Sequence, residues 1–423
     1  MTSALPRRVV VLGQGHAGLP LAVAAAWAGH QVVGYDVDLD RVERLRAGEP
    51  VIGDVSPDVL AAVTRGGSYT ATADPAACAG FDVAVITVPT PLRDGRPDLS
   101  HIEAAAGVVA RHLRPGATVV VESTTYPGTT EELVAPILTD VSGLVAGRDF
   151  HLGYSPQRVD PGNTTWSVER IPKLVSGLDA ASLDAVRSFY DSIVAETVDV
   201  AGTREAELAK LLENTFRHVN IALVNELAVF AAELGIDVWE AIDAASTKPF
   251  GFMRFLPGPG VGGHCLPVDP SYLSWRVSDR LGSTFRFIEL ANEINSHMPL
   301  HVVRRLEAAM RRRGNPVAGS RILLLGLAYK SNSGDARLSP AVGIAAGLRE
   351  LGAEVRGADP HVPAAWAPAG IVRVEPSDAE VEAADAVVLV ADHDAFDLEG
   401  IAARARLFFD TRHRVTAPGV EYL

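Results

Sequence analysis

Cysteine is nearly absent from this chain: its 423 residues include only Cys78 and Cys265. Two thiols cannot build a disulfide framework or a cysteine zinc cluster, so no metal is expected, and such usage fits a reducing compartment. Positive charge is also short, with 38 Lys and Arg against 52 Asp and Glu and a net charge of −14. The basic footprint of a nucleic-acid partner is therefore missing. An anionic small molecule would have to be held locally, by single Arg and Lys side chains and by helix N-termini. No apolar run approaches the about eighteen residues that a membrane helix needs, and residues 1–8 lack the layout of a signal peptide. The expectation is a soluble, cytoplasmic protein with no membrane and no nucleic-acid partner. Hydrophobic residues make up 48% and charged residues 21%, a globular balance, and the length calls for two or three domains.

What is present begins at once. Val9-Val10-Val11-Leu12 reads as a buried strand, and Gly13-Gln14-Gly15-His16-Ala17-Gly18 follows it. Residues 19–29 read as an Ala-rich helix, and 31–36 as a second strand ending in Asp36. This is a strand, GxGxxG, helix, strand, acid unit. Its first glycine makes the tight turn, its second admits a pyrophosphate, its third lets helix and strand pack, and the helix N-terminus faces the phosphates. Asp36 stands where a carboxylate takes the ribose hydroxyls, which favours NAD over NADP. Arg41 is either a neighbour of the adenosine end or a solvated helix residue.

Strand and helix signals then alternate. Strands over 82–88 and 117–121 end in Pro89-Thr90-Pro91 and in Glu122-Ser123-Thr124-Thr125-Tyr126-Pro127-Gly128. Ligands of open α/β sheets sit at the carboxyl ends of strands. Thr90, Thr124 and Thr125 occupy such ends, as ligand contacts or as caps of the helices that follow. Cys78 closes an Ala-rich helix end and reads as a small buried apolar residue. Residues 151–163 form another strand and a polar loop, and the first domain spans 1–200.

Glycine and proline are missing from residues 203–234, where Leu208, Leu211, Leu212, Phe216, Val219, Leu223 and Leu227 recur at helical spacing. Lys210, Asn214 and Arg217 share one face of this helix, either solvated or lining a cleft. A helix of this length spans domains or forms an oligomer interface. The opposite composition follows. Residues 257–270 hold four glycines and four prolines in fourteen positions, with His264, Cys265 and Asp269 among them. That density predicts a shaped loop in which backbone approaches a ligand. Residues 201–314 make the central region. Residues 315–423 carry a second set of Rossmann-like strands without a GxGxxG, and Tyr329, Lys330, Asp335 and Arg337 lie in the first loop of that set.

These segments together give the chain a resemblance to the nucleotide-sugar 6-dehydrogenase family, which includes UDP-glucose, UDP-N-acetylglucosamine and GDP-mannose dehydrogenases. The motifs are Gly-Gln-Gly-His-Ala-Gly-Leu-Pro at 13–20, Glu-Ser-Thr-Thr-Tyr-Pro-Gly-Thr-Thr at 122–130, Ala-Glu-Leu-Ala-Lys-Leu-Leu-Glu-Asn at 206–214, the thiol loop, and Gly-Leu-Ala-Tyr-Lys at 326–330. Lys248-Pro249-Phe250-Gly251-Phe252-Met253 and Ser155-Pro156-Gln157-Arg158-Val159-Asp160-Pro161-Gly162-Asn163 look most like the UDP-N-acetylglucosamine branch. The resemblance implies an α/β fold of two Rossmann-like parallel-sheet domains joined by a long central helix and a helical dimerising region. It also implies NAD as cofactor, a UDP-sugar substrate, a homodimer or higher homo-oligomer, and oxidation of a C6 primary alcohol to a carboxylate.

The resemblance further assigns residues. Cys265 is the nucleophile that forms a thiohemiacetal and then a thioester. Lys210 faces developing oxyanions, Asn214 helps hold the reacting centre, Asp269 is tied to water and Lys210, and Thr125 positions the water. Tyr329 and Lys330 grip the nucleotide sugar, aided by Arg217 and the backbone at Gly260 and Gly262. Arg254 comes from a partner subunit, Arg412 is a further candidate for the same pocket, and Arg337 reaches the cofactor. The chain departs from the pattern at Gln157, where the family has the Glu implied as general base for thioester hydrolysis. Glutamine is nearly isosteric but takes up no proton at neutral pH. Arg254 and Leu256 stand where the branch more often has Pro and Tyr, and Leu338 stands where Glu is usual. Full oxidation therefore competes with an altered outcome: arrest at the aldehyde, a stalled thioester, or another redox change on a nucleotide sugar. A catalytically silent nucleotide-sugar binder is a third reading, against which the retained Cys265, Lys210 and Asp269 argue. A lysine-dependent hydroxyacid dehydrogenase shares the domain order but gives no reason for Cys265.

Overall fold

The computed structural model describes residues 6–53, 55–159, 166–263, 265–366 and 368–423. His264 and residues 160–163 of the motif after Ser155 lie outside the described residues, and so does the side chain of Cys265. The chain divides into two compact units. Residues up to Glu213 with Ser271–Leu281 form the first, and Asn214–Pro270 with Gly282–Leu423 form the second.

The first unit is a doubly wound sheet. Its opening elements are β1 (Arg8–Leu12), α1 (Gly18–Trp27), β2 (Gln31–Tyr35), α2 (Leu39–Arg46), α3 (Pro57–Arg65), β3 (Tyr69–Thr72) and β4 (Val83–Ile86). A two-stranded hairpin of β5 (Leu92–Arg93) and β6 (Arg96–Pro97) precedes α4 (Ser100–His112). Then come β7 (Thr118–Val121), α5 (Ala135–Ser142), β8 (His151–Tyr154), β9 (Lys173–Gly177), α6 (Ala180–Tyr190) and β10 (Thr197–Asp199). The strand order is β10-β9-β8-β7-β4-β1-β2-β3. Every pairing in the sheet is parallel except β8 with β9. The continuous Val and Leu runs are what a sheet covered on both faces requires. Val9 and Val11 pack into one core with α1 and α3, whereas Val10 and Leu12 pack into another with α4.

Helix α7 (Thr203–Leu234) has the bounds that the missing Gly and Pro predict, and it contributes residues to both units. The second unit continues with α8 (Val238–Ser246), the first turns of α9 (Cys265–Leu281) and α10 (Arg286–Arg312). Its sheet is built from β11 (Arg321–Leu325), β12 (Glu354–Ala358), β13 (Val372–Arg373), β14 (Ala386–Leu389), β15 (Phe408–Asp410) and β16 (Glu421–Tyr422), in the order β13-β12-β11-β14-β15-β16 and parallel throughout. The helices α11 (Pro340–Glu350), α12 (Asp378–Ala383) and α13 (Leu398–Arg404) alternate with these strands. Among the described residues no helix is long and apolar enough to cross a membrane.

Two expectations are corrected. The segment 257–270 is not a loop to its end, because α9 starts at Cys265 and carries Asp269 and Pro270 inside it. Pro267 falls in the first turn, where its missing N–H has no helical partner to lose. Cys78 closes a short 3₁₀ turn, Pro75–Cys78, not an α-helix end, and it is buried with its thiol pushed up to about 11 by that burial. It is inert.

Candidate active site

The chain leaves β1 through Gly13, whose φ of 94° other residues rarely adopt. A Cβ on Gly18 would lie 1.8 Å from the Gly13 carbonyl oxygen, while one on Gly15 would meet nothing within 4 Å. The first contact packs α1 against the turn, and the second leaves backbone facing open space. No side chain caps α1, whose N-cap is Ala17, so its amides and dipole are presented to an anion. Asp36, just past β2, is 5% exposed, accepts from the Gln14 amide at 2.7 Å and pairs with Arg41 Nη1 at 3.0 Å. The Gln14 side chain turns inward, donating to Val11 O at 2.8 Å and accepting from the Tyr69 hydroxyl at 2.8 Å. Only the backbone of Gln14 therefore borders the turn, with His16 exposed and Ala17 half-buried beside it. These residues fit a dinucleotide: the phosphates at Gly15 and the α1 N-terminus, the ribose at Asp36.

The ends of β4, β7 and β8 are knitted together. The Thr90 hydroxyl donates to Thr124 O at 2.8 Å and the Ser123 hydroxyl to Val88 O at 2.7 Å. Thr125 is fully buried, and its hydroxyl has no hydrogen-bond partner among the described residues. A buried hydroxyl in that condition calls for a water or a ligand atom. Past β8, Gln157 donates from Nε2 to Val159 O at 2.8 Å, which leaves its carbonyl oxygen as the acceptor it can offer. Next to it, Arg158 bonds Pro172 O at 2.6 Å and pairs with Glu213 at 2.7 Å.

Helix α7 carries Lys210, 5% exposed and without an ion-pair partner among the described residues. An unneutralised buried ammonium is suited to a developing oxyanion. Lys210, Asn214 and Arg217 do not share one environment: they are buried, half-buried and exposed in turn. One turn before Lys210, Glu207 accepts from Gly128 N at 2.6 Å, Thr130 N at 2.9 Å and the Thr130 hydroxyl at 2.7 Å. Burial pushes its carboxyl up to about 7 against the pull of those donors.

In the second unit Asn214 Nδ2 donates to Asp269 Oδ2 at 2.5 Å, and Asp269 is 2% exposed. That bond joins α7 to α9 one turn after its first residue, Cys265. The loop before α9 is held by Asn225, which accepts from Gly258 N at 2.9 Å and donates to Asn295 at 2.8 Å. Its glycines answer to protein, not only to ligand. A Cβ on Gly262 would lie 2.5 Å from Leu338 O, and one on Gly263 would lie 2.7 Å from the Tyr329 ring. Gly263 N also donates to Arg337 O at 3.0 Å. Gly260, with φ 132°, has only ordinary contacts around it. Arg412 lies under Gly258 and donates from Nε to Val390 O at 2.8 Å. Tyr329 and Lys330 are half-buried. Arg337 is exposed and bidentate to Asp335, at 2.6 and 2.9 Å, and Arg254 is exposed and paired with Asp243 at 2.6 Å.

The sequence reading singled out neither Glu207 nor the buried group beneath Gln157, in which Lys173, Glu122 and Tyr190 meet. A signal existed for each. Glu207 sits inside the motif that contains Lys210, Glu122 follows the Val run of β7, and Lys173 is a charged residue opening β9.

Comparison with known proteins agrees along the chain. Residues 7–194 match the NAD binding domain of the UDP-glucose/GDP-mannose dehydrogenase family, residues 204–297 its central domain and residues 323–417 its UDP binding domain. The UDP-N-acetyl-D-mannosamine dehydrogenase of Pyrococcus horikoshii is 35% identical over 98% of both chains. The UDP-N-acetyl-D-glucosamine 6-dehydrogenase of Pseudomonas aeruginosa is 38% identical over 84% of this chain and 83% of that one. Among solved structures, the Pyrococcus horikoshii UDP-D-ManNAc dehydrogenase superposes with a TM-score of 0.89 at 34% identity over 98% of both chains. A UDP-glucose dehydrogenase from Pyrobaculum islandicum gives 0.88 at 30%, covering 100% of this chain and 98% of that one.

Proposed function

The chain belongs to the UDP-glucose/GDP-mannose dehydrogenase family and is an NAD-dependent nucleotide-sugar dehydrogenase, and on that premise we propose that it oxidises C6 of a UDP-N-acetylhexosamine to the carboxylate. The relatives named for N-acetylated sugars and the Lys248–Met253 segment support this substrate class over UDP-glucose. NAD, when bound, accepts the hydride in each of two oxidations.

The observation that carries the reading is the Asn214–Asp269 hydrogen bond. It ties the helix bearing Lys210 to the helix that opens at Cys265. A helix N-terminus favours a negative charge, the form in which a thiol is nucleophilic. Cys265 adds to the C6 aldehyde, and the thiohemiacetal can lose the second hydride where a bare aldehyde cannot. Lys210 supplies positive charge to the oxyanion at each carbonyl addition, and Asn214 and Asp269 hold the reacting group and water. The orphan hydroxyl of Thr125 and the carbonyl oxygen of Gln157 orient the water that hydrolyses the thioester. Arg412, Tyr329 and Lys330 hold the nucleotide sugar, with Arg217 and Arg254 as further contacts and Arg337 directed to the cofactor. Seven apolar residues along α7, from Leu208 through Leu212, Phe216, Leu223, Leu227 and Phe230 to Leu234, are 43–72% exposed. So long an apolar stripe on one helix supports a homodimer.

Incubation with NAD and a panel of UDP-sugars, counting NADH per product by mass spectrometry, tests the proposal. Two NADH per uronic acid at steady turnover, fastest with an N-acetylhexosamine, is the expected result. Gln157 favours a second reading, in which one NADH per aldehyde or a stalled adduct on Cys265 would be found instead.

A further inference from the structure

Strand β9 runs antiparallel to β8, so its first residue, Lys173, lies at the carboxyl end of β8. Its ammonium donates to Glu122 Oε1 at 2.7 Å and to Pro156 O at 3.2 Å. The Tyr190 hydroxyl donates to the same Glu122 oxygen, and Lys173 Nζ stands 4.9 Å from the Tyr190 ring centroid. The side chains of Lys173 and Glu122 are 6% and 2% exposed. Glu122 is three residues before Thr125, and Pro156 is the residue before Gln157. From the other side Arg158 bonds Pro172 O, so the segments 156–158 and 172–173 are cross-linked twice, around Gln157. A cavity of about 10 Å³, the space of one water centre, is lined by Glu122, Gln157 and Lys173.

A buried ion pair is weak evidence of stability, since desolvation offsets the attraction. What this one supplies is geometry. We propose that Lys173 is a positioning residue for the hydrolytic half of the reaction: its ammonium ties the strand end carrying Thr125 to the strand end carrying Gln157. Burial drives its pKa down and Glu122 resists that fall. The inference rests on the thioester route proposed above. In that step the water oxygen bonds to the acyl carbon and the carbon–sulfur bond breaks with its electron pair to sulfur. One water proton goes to the thiolate, and the other is lost to solvent as the acid ionises. Gln157 accepts a hydrogen bond and no proton, so its contribution is orientation, which an ångström of misplacement can reduce by about 10²-fold.

The test compares wild type, Lys173→Met and Lys173→Arg with NAD and a UDP-N-acetylhexosamine. Wild type is measured first: failure to form the acid with two NADH per molecule would overturn the thioester reading itself. Given that control, Lys173→Met should show a burst of two NADH per site and keep the NAD affinity within about twofold. Its steady rate should fall about 10–100-fold, KM should change little, and an acyl adduct should accumulate on Cys265 by intact mass. Lys173→Arg should recover most of the rate. Steady turnover within twofold of wild type in Lys173→Met, or burst and NAD binding lost together, would overturn the proposal. If Lys173→Met does not fold, the charge-free double variant Glu122→Gln, Lys173→Met is read by the same criteria. Failure of both to fold makes the tie structural and also overturns it.

Discussion

In the reaction proposed above, Gln157 is the residue on which the outcome turns. If it orients water but takes no proton, Gln157→Glu should raise steady acid formation by about tenfold or more, since a positioned base contributes about 10²–10⁴. The variant should also acquire an acid limb in the ordinary glutamate range, absent in wild type; steady-state NADH rates across pH 4–8 are the readout. An unchanged rate and profile would mean that the base at this position does not limit hydrolysis. Glu207 is a second residue with a pH signature. Its folded pKa of about 7 exceeds its ordinary 4.5, so the folded state holds the extra proton between those values. Stability is therefore fully present below about 4.5 and is lost as pH rises toward 7, by about 2–3 kcal/mol from this group. Glu207→Gln should flatten that slope in denaturant titrations at pH 5 and 7, whatever its effect on absolute stability. Which residues titrate was legible in the sequence. That Glu207 is buried against three donors of the 128–130 turn, 77–79 residues away, was not.

At the scale of elements, two glycines of one turn serve different ends. Gly15 faces open space and Gly18 faces the Gly13 carbonyl. Gly15→Ala should leave the melting temperature within a degree or two but weaken NAD binding at least tenfold, whereas Gly18→Ala should lower stability by about 2 kcal/mol or more through overpacking. Thermal melts and NAD titration separate them, and equal destabilisation would refute the division of labour. Helix α7 was legible end to end because uninterrupted apolar periodicity without Gly or Pro has one local solution. Its exposed apolar stripe was not, since periodicity marks an apolar face without saying what covers it. Leu223→Glu with Leu227→Glu should shift the proposed dimer to monomer in light scattering while the NAD site still binds; an unchanged mass would place any dimer contact elsewhere.

At the scale of the molecule, two units, one built on a mostly parallel sheet and the other on a parallel one, carry separate nucleotide demands. NAD should raise one calorimetric transition and UDP the other, each by the mass-action amount of about 2.7 kcal/mol at a hundredfold excess over Kd. A single transition moved equally by both ligands would refute independent stabilisation.

The sequence by itself determined the dinucleotide unit, the long helix and the alternation that makes both sheets, because glycine spacing, helix breakers and apolar runs act over a few neighbours. Its strongest local reading was also bounded by local rules: the glycines and prolines of 257–270 implied loop throughout, yet the helix begins at Cys265 and takes in both Pro267, in a first turn where proline forfeits no bond, and Pro270 beyond it. Only the tertiary structure decided which charged groups meet. Lys173 and Glu122 are 51 residues apart, and Asn214 and Asp269 are 55 apart. Such pairings follow from the order and direction of strands and from the cost of leaving a buried charge or amide unpaired. That cost falls due only once the chain has folded.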